Sequence, residues 1–556
     1  PMEKNPAVKK KDKKVRMCVD KEWSAAWTQR HSLNISGGTD KATYFAGASY
    51  FSQEGNMGRL DYDRWNFRGG VNANVGKWTK ASFQISGDMG EQNNARNGIS
   101  GGGTDADFNS LMTHLPFVPD YMGGLPVVYT GMQNASSGLT AVQLYNYRAV
   151  QNSPDNTENQ TNNMSINGSL EHDFGWFKWT KGLKLKASYS RNIVNGKSNN
   201  IGTKINVYRL LNRGGSGGHL YTGDDIDLDE SNFGTFTLDN GNLLTRTMNK
   251  TDSYQMNLTL SYARQFGLHN ISGLFSIEKA ESEYEYVTGN ITDPFSFSDG
   301  QSNSTATGAT QTTTFSRTES GMLSYIGRLN YSYADKYLFE FLLRSDASTK
   351  FAPENYWGFF PSVQAAWVLT KESWMPRTRA LNYLRLNVGF DLVGNDDLES
   401  QASRTYFVGQ KMWNTSTGLA MANIGNTQLQ WETTARWTAG LDLSLLDNRL
   451  GVNFNYFYGK TSNLLSLSAL SYVSGLKTNW KNSGEMKNQG FDVSLSARVI
   501  DLKDWKWSLG ASAGHYKNEL TSLPNGSFIT ELYGGNVLSQ VGTAAGVGLA
   551  ADAVNT

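Results

Sequence analysis

The sequence feature that most constrains the fold is a strict two-residue alternation of apolar and polar side chains. Residues 254–262 show it clearly, because the even positions hold apolar or aromatic side chains and the odd positions hold Gln, Asn, Thr and Ser. Successive side chains of a β-strand point to opposite faces, so the pattern predicts a strand with one apolar and one polar face. We recognise about sixteen such segments, which predict an all-β protein.

Two kinds of fold satisfy this alternation: a soluble sandwich or propeller, and an antiparallel transmembrane β-barrel. Many of the segments have the roughly 9–11 residues that a tilted strand needs to cross a bilayer. Aromatic residues end the apolar rows, as Tyr254 and Tyr262 do, at the positions where barrels carry interfacial girdles. The opposite faces are rich in Asn, Ser, Thr, Lys and Gly, which suits a wet interior. We therefore predict a large antiparallel transmembrane β-barrel.

The connections between the strands alternate between short and long. The short ones are typical of hairpin turns and include residues 334–336, 446–449 and 267–269. The long ones are polar and include residues 94–160, 198–248, 288–318 and 395–433. Short periplasmic turns and long extracellular loops are typical of Gram-negative outer-membrane barrels, which predicts the cellular location.

Composition excludes several other classes of protein. Lys and Arg total 51 against 50 Asp and Glu, a formal net charge of +1 that argues against nucleic-acid binding. The single cysteine excludes a disulfide within the chain, and no apolar run reaches the roughly 18 residues of a transmembrane helix. The six histidines lack metal-ligand spacing, and no nucleophile elbow or phosphate-binding loop is visible. We therefore predict no enzymatic activity and no cofactor.

Several short motifs, in a consistent order, resemble the barrel of the SusC/RagA-like TonB-dependent outer-membrane transporters. The most specific is the run YLFEFLLRSDASTKF at residues 337–351, followed by FPSV at residues 360–363. The other motifs are RWNFR at 64–68, GN at 394–395, WE at 431–432 and NQGF at 488–491. With weaker matches on either side, the resemblance extends across about residues 19–520, and on these motifs the chain is identified as a member of this family.

The resemblance implies a barrel of about 22 strands with a plug domain in its lumen. No plug is recognisable in this sequence. We expect residues 1–30 to be a plug-to-barrel junction or a periplasmic segment. Residues 31–556 are expected to form the transmembrane barrel with long extracellular loops, incomplete at its C-terminal end.

The resemblance also implies the function of an outer-membrane active-transport subunit. Such a subunit imports oligosaccharides or peptides, is energised by the TonB complex through a plug segment not seen here, and is capped by a SusD-like lipoprotein. Membrane lipid and lipopolysaccharide would surround it. Two alternatives remain open: a plug-less structural barrel in a larger outer-membrane complex, and a passive porin-like pore. The sequence does not decide between glycan and peptide as substrate.

Candidate site residues fall into three groups. Aromatic residues of the long loops can stack on sugar rings or hold a peptide, or else pack within the loops or against the lid; they are Tyr121, Tyr129, Tyr406 and Trp413. Arg344 and Asp346 share the lumen face by parity, so we expect an ion pair or a plug contact rather than direct substrate contact. The third group is acidic and comprises Asp225, Asp227 and Asp229. These carboxylates can bind calcium, although a solvated acidic loop is the preferred interpretation.

Overall fold

The computed structural model describes most of the chain with gaps in the loops and at both ends. The described residues are 22–96, 107–108, 111, 120–128, 146–210, 233–295, 306–308, 310–376, 378–411, 417–470, 472–522, 527–532, 535–540 and 549–550. Tyr129, Trp413 and the three aspartates of the calcium candidate lie outside them.

Strands dominate the described residues. The strands of the main sheet are β1 (Thr28–Gly38), β2 (Ala42–Glu54), β3 (Leu60–Asn74), β4 (Thr79–Ala95), β7 (Asn156–Asp173), β8 (Leu183–Leu210), β9 (Phe233–Phe266), β10 (His269–Thr292), β11 (Gln311–Tyr333), β12 (Tyr337–Ser348), β13 (Trp357–Val368), β14 (Leu381–Asn395), β17 (Glu432–Leu445), β18 (Leu450–Ser462), β21 (Glu485–Asp501) and β22 (Lys506–Ser522). The short elements between or after them are β5 (Tyr121–Met122), β6 (Leu125–Pro126), a helix α1 (Tyr147–Asn152), β15 (Tyr406–Lys411), β16 (Thr417–Asn423), β19 (Leu465–Ala469), β20 (Thr478–Asn482), β23 (Ser527–Leu532), β24 (Gly535–Gln540) and β25 (Leu549–Ala550).

The main sheet contains sixteen strands, the number that the alternation predicts. They follow one another in chain order, interrupted only by small local hairpins, and each pairs antiparallel with the next. This meander confirms the predicted fold class, a large antiparallel transmembrane β-sheet of the barrel type. No helix in the described part of the chain is both long and apolar enough to cross a membrane.

The two- to four-residue turns between described strands of the main sheet lie at one end of it. Ala334 and Asp335 both have positive φ, 52° each, the backbone that a two-residue hairpin turn requires. Leu446, Asp447 and Asn448 form the equivalent turn between β17 and β18. The long connections lie at the opposite end, as predicted. In outer-membrane barrels the end with the short turns is periplasmic, and we name the two ends accordingly.

Two of the predicted loops, 198–248 and 288–318, are partly wrong. Residues 198–210 and 233–248 are not irregular but continue β8 and β9, which reach 28 and 34 residues. The same holds for residues 288–292 and 311–318, which extend β10 and β11. Both hairpins therefore project beyond the length that crosses a bilayer. The apolar residues of the β8–β9 extension, such as Val207 and Leu238, are buried among the extracellular connections instead of facing lipid.

Residues 22–30 lie at the long-loop end of the sheet. Residues 28–30, expected in a junction or periplasmic segment, are the first residues of β1, which runs from the long loops towards a tight turn. Before it, Trp23 bridges to Met57, and the Glu22 carboxylate accepts a 2.6 Å hydrogen bond from Arg148 Nε.

The outer face of the sheet carries the apolar rows and is marked off by charge at both ends. On β9 the row from Tyr254 to Tyr262 is bounded by Asp252 at one end and Arg264 at the other. Met256 within it is 49% exposed, so its side chain is not covered by this chain. Nine residues span about 27 Å along a strand, which matches the hydrocarbon thickness that an outer-membrane barrel faces.

Aromatic ladders close this band at the two membrane interfaces. Tyr189 and Tyr254 stack with ring centroids 6.2 Å apart at the extracellular boundary. At the periplasmic boundary Tyr337 stacks between Tyr333 and Trp367, with both centroid distances 6.4 Å. Amphipathic rings prefer this level of the bilayer, so the ladders fix the height of the sheet in the membrane.

Glu372, in the connection between β13 and β14, ties the periplasmic ladder together. Its Oε1 accepts hydrogen bonds from Tyr337 Oη at 2.5 Å and from Trp367 Nε1 at 3.1 Å. Lys336 Nζ lies 3.4 Å from Oε2. The hydrogen bond from Tyr337, reinforced by Trp367 and Lys336, lowers the pKa of the Glu372 carboxyl. The anchor therefore works in the ionised form.

The largest buried cluster lies at the extracellular end, on the inner side. Its members are Phe351, Phe360, Leu398, Ala402, Leu429 and Trp431. The ring of Phe360 lies against Gly394, where any Cβ would collide with it, so the glycine of the GN motif is a packing requirement. This cluster packs described parts of the connection between β14 and β17 against β13 and the connection that precedes it, at the extracellular end.

Replacing Phe351 by Ala tests that packing. Phe351 is 2% exposed, so its loss leaves a cavity, and we expect the free energy of unfolding in guanidinium to fall by about 3–5 kcal/mol. The matched control is Phe407→Ala, whose ring is 53% exposed and should cost less than about 0.5 kcal/mol. Equal losses for the two variants would contradict a packed loop layer.

The pH dependence of unfolding tests the Glu372 anchor. A carboxyl with a lowered folded-state pKa stabilises the fold above its unfolded pKa, and the stabilisation is lost as pH falls through the folded pKa. Between pH 6 and pH 3 we therefore expect Tm to fall less steeply for Glu372→Gln than for the native chain. Glu54→Gln, at an exposed glutamate, is the control and should keep the native slope. If Tm falls with pH equally steeply in Glu372→Gln and the native chain, the ionised Glu372 does not stabilise the fold.

Candidate functional site

The inner face of the sheet carries a row of arginine–carboxylate pairs, three between neighbouring strands and one within a strand. Each pair has N–O distances of 2.6–3.1 Å, and the row runs across β11 to β17; its members are Arg328–Glu340, Arg344–Asp346, Arg385–Asp442 and Arg436–Asp391. Two-residue alternation places all eight side chains opposite the apolar rows. The wall that they form is charged but locally neutral.

Arg344 and Asp346 form the most enclosed of these pairs. The guanidinium donates two 3.0 Å hydrogen bonds, from Nε and Nη2, to the two carboxylate oxygens of Asp346, which is 5% exposed. Arg344 Nη2 also donates to Ser324 Oγ at 3.2 Å and lies 3.7 Å from Glu278 Oε1. Bidentate geometry fixes the plane of the guanidinium, so the group braces β10, β11 and β12.

The wall of β1 to β4 differs, because its arginines lack carboxylate partners. Arg30 and Arg64 flank Phe51 across β2, and the buried Nε of Arg64 has no hydrogen-bond partner. Arg68 Nη2 donates to Asn34 Oδ1 at 3.1 Å, reaching over Gly47, where a Cβ would contact both side chains. None of the three arginines forms an ion pair with a residue that the structure describes. They can bind an anionic group in the lumen.

Above this wall a buried carboxylate joins the extracellular connections. Asp155 is fully buried, and its Oδ1 accepts hydrogen bonds from Thr203 N at 2.9 Å and Thr203 Oγ1 at 2.7 Å. Its Oδ2 accepts from Asn240 Nδ2 at 2.5 Å, and its carbonyl oxygen accepts from Arg59 Nη2 at 2.7 Å. Burial lowers the pKa of Arg59, whereas the charge of Asp155 opposes that shift. The network holds the β8–β9 hairpin at the bulge between Gly202 and Lys204.

The structure separates the two described aromatic candidates. Tyr121 starts the small β5–β6 hairpin, is half-buried, and its Oη accepts a 3.3 Å hydrogen bond from Asn152 Nδ2. Tyr406 starts the β15–β16 hairpin in the connection between β14 and β17 and is also half-buried. Both belong to the extracellular layer, but to different connections. Their contact with a substrate stays a prediction.

Metal and nucleophile chemistry find no support in this geometry. No group of three His, Cys, Asp or Glu side chains suited to a metal ion occurs among the described residues. Arginine pairs, amides and hydroxyls line the inner wall, and such groups bind and orient polar solutes through hydrogen bonds. The arrangement is that of a binding and passage surface.

Three of the four wall pairs could not be identified from the sequence. Arg385 and Asp442 are 57 residues apart and meet only because β14 and β17 pair in one register. Alternation assigns each residue to the inner face but does not say which residue lies opposite. Arg344 and Asp346 are two residues apart on one strand, so for them parity sufficed.

A double-mutant cycle tests the bracing role of Arg344. Arg344→Gln leaves the buried Asp346 carboxylate without its partner and should lower the free energy of unfolding by about 1.5–3 kcal/mol. Arg344→Gln combined with Asp346→Asn should recover at least half of that loss. The control is Arg317→Gln, which removes an exposed pair with Glu283 and should cost less than about 1 kcal/mol. Strict additivity of the Arg344 and Asp346 changes would show that the pair is not a stabilising unit.

Comparison of the sequence with known proteins identifies one family. Residues 101–549 match the family model described as TonB dependent receptor-like, beta-barrel. TonB-dependent receptor P3 of Formosa agariphila is 26% identical over 513 residues, which are 89% of this chain and 46% of the relative. TonB-dependent receptor SusC of Bacteroides thetaiotaomicron is 30% identical over 221 residues, 38% of this chain and 22% of SusC.

Solved structures agree on the fold. The RagAB peptide transporter superposes with a TM-score of 0.70 at 21% identity, covering 94% of this chain and 54% of the other. The outer-membrane transporter YddB of Escherichia coli gives a TM-score of 0.55 at 9% identity, covering 95% and 61%. These matches take in most of this chain but only about half of each relative, so the chain spans about half the length of these relatives. It belongs to the TonB-dependent receptor β-barrel family and is an outer-membrane protein of the SusC/RagA type.

Proposed function

We propose that this chain is the membrane-spanning part of a transporter that imports oligosaccharides or peptides and is energised through TonB. The observation that carries the proposal is a polar, arginine-rich inner wall lying beneath a packed layer of extracellular connections. A wall of this kind suits polar solutes, and the packed layer can hold them at the mouth. The family relationship supplies the coupling to TonB.

Energy must come from outside the outer membrane, because that membrane holds no ATP. A barrel of about 22 strands encloses a lumen wide enough to need a plug. In our proposal the plug contacts the inner wall, and TonB displaces it. The carboxylate-free arginines Arg30, Arg64 and Arg68 are suitable contacts for acidic groups of such a plug.

A SusD-like surface lipoprotein is the proposed lid. The β15–β16 hairpin at the extracellular end exposes Phe407 by 53% and Leu419 by 77%. Phe407 and Leu419 lie on the same face of this hairpin, and a contiguous exposed apolar surface of this kind is typical of a site that binds another protein. A lid seated on this hairpin would enclose the space beside Tyr406.

The substrate class follows from chemistry that serves sugars and peptides alike. Aromatic rings stack on sugar faces and also pack against peptide side chains. Tyr121, Tyr129, Tyr406 and Trp413 are the proposed substrate contacts, and Arg344 with Asp346 the proposed brace or plug contact. The segment with Asp225, Asp227 and Asp229 is proposed to be a solvated acidic loop, with calcium binding as the lesser alternative.

Growth of a deletion strain on single carbon or nitrogen sources tests the import function. We expect the strain to lose growth on one class, defined oligosaccharides or defined peptides, and to recover it with the full-length gene. Tyr121→Ala and Tyr406→Ala should restore growth only at high substrate concentration. Trp505→Ala, at an exposed periplasmic ring, is the control and should restore growth fully. Normal growth of the deletion strain on every polymer and peptide tested would contradict the proposal.

Two further measurements separate the alternatives. Purification of the solubilised full-length protein should recover a surface lipoprotein at an equimolar ratio. Planar-bilayer recordings should show a closed barrel without TonB. Steady ion conductance would instead identify a passive pore. Recovery with structural outer-membrane proteins but no lipoprotein would identify a structural subunit.

A further inference from the structure

Two neighbouring turns at the periplasmic end form an exposed patch of aromatic and basic residues, which we call the rim patch. It consists of the β3–β4 turn, residues 75–78, and the β7–β8 connection, residues 174–182. Its aromatic members are Trp78, Phe174, Trp176, Phe177 and Trp179, and its basic members are Lys77, Lys178 and Lys181. The import function does not use this patch.

The two turns form one surface. The backbone N–H of Asp173 donates to the carbonyl oxygen of Trp78 at 2.8 Å, which joins the turns directly. Trp176 contacts Trp78 and His172 edge-on, with centroid distances of 6.5 Å and 5.1 Å. Thr79 Oγ1 and His172 Nδ1 are 2.8 Å apart just below. The rings are therefore held in place rather than free to collapse onto the chain.

The rim patch continues the lipid-facing surface. His172 lies two residues beyond Leu170 on the outer face of β7, and Leu170 is 51% exposed. On β4 the same band holds Phe83, which is 48% exposed. Beyond them, towards the periplasm, the rings of Phe177 and Trp179 are 56% and 78% exposed. Because the neighbouring apolar band contacts acyl chains, these rings lie at the level of the lipid headgroups.

The charged side chains of the two turns that form the rim patch are all lysines, so the patch is positively charged. Lys77 Nζ lies 5.2 Å above the Trp78 ring, and Lys178 and Lys181 are exposed. None of the three lysines forms an ion pair with any described residue. The nearest acid in the sequence, Asp173, instead accepts a 2.8 Å hydrogen bond from the backbone N–H of Gly175. The patch thus offers three ammonium groups beside a ring surface.

We propose that the rim patch is a binding site for the headgroup of an anionic phospholipid in the periplasmic leaflet. The lysines contact the phosphate, and the indole rings lie at the boundary between headgroups and acyl chains. Continuity with the lipid-facing band favours a lipid over a protein partner. The charge complementarity favours an anionic lipid over a zwitterionic one.

Tryptophan quenching in lipid nanodiscs tests this site. The full-length protein is reconstituted with increasing fractions of brominated phosphatidylglycerol or, separately, brominated phosphatidylcholine. We expect the phosphatidylglycerol to quench at lower mole fraction, and Trp176→Phe with Trp179→Phe to remove that extra quenching. Lys178→Gln with Lys181→Gln should lower the preference by roughly three- to tenfold.

The matched control is Lys503→Gln with Lys506→Gln, at the β21–β22 turn. That turn also exposes a ring, Trp505, but Asp501 and Asp504 balance its lysines. The control variant should keep the native preference, and equal quenching by phosphatidylcholine in the native protein and the two lysine variants verifies membrane insertion. Equal quenching of the native protein by both lipids would overturn the proposal and leave the patch to a protein partner. A preference that survives Lys178→Gln with Lys181→Gln would also overturn it.

Discussion

The whole structure depends on one constraint, the absence of hydrogen-bonding partners for the backbone inside a bilayer. Every peptide N–H and C=O at that depth must pair with another strand, because an unpaired group costs several kcal/mol. Sixteen strands that pair antiparallel in chain order meet this demand for the strands inside the sheet, while β1 and β22, at its two edges, are each paired on one side among the described residues. Once the backbone is paired in this way, the side chains must alternate between lipid and lumen.

The two faces then follow different rules. On the outer face, apolar rows end in stacked rings such as Tyr189 and Tyr254. Two residues further along the strands, Arg191 and Asp252 form an ion pair. Inside, arginines are either neutralised by carboxylates on the same or the next strand or left without them on β1 to β4. At the extracellular end, outside the bilayer, apolar packing around Phe351 and hydrogen bonds to Asp155 hold the connections in place. The proposed function uses the inside and the mouth, while the outside positions them.

Sequence reasoning succeeded where the physics is local. Alternation identified the strands, and parity on one strand placed Arg344 beside Asp346. It failed above the membrane, where β8 and β9 continue past the membrane-spanning length through residues that the sequence assigned to a loop. It also could not find contacts that depend on register or loop folding, such as Arg385 with Asp442 or Asp155 with Thr203. Such contacts join residues tens of positions apart, and no short-range pattern encodes them.

The central claim is that alternate residues of these strands face lipid and lumen. Spin labels placed singly at residues 254–262 of the full-length protein, with Cys18 replaced by Ser, test it directly. Accessibility to oxygen, which partitions into lipid, should be high at 256, 258 and 260 and low at 257, 259 and 261. A water-soluble nickel complex should show no access to the first set, and both reagents should reach 250 and 252 in the manner of solvent-exposed sites. Accessibility without a period of two residues, or with the two faces exchanged, would contradict the account.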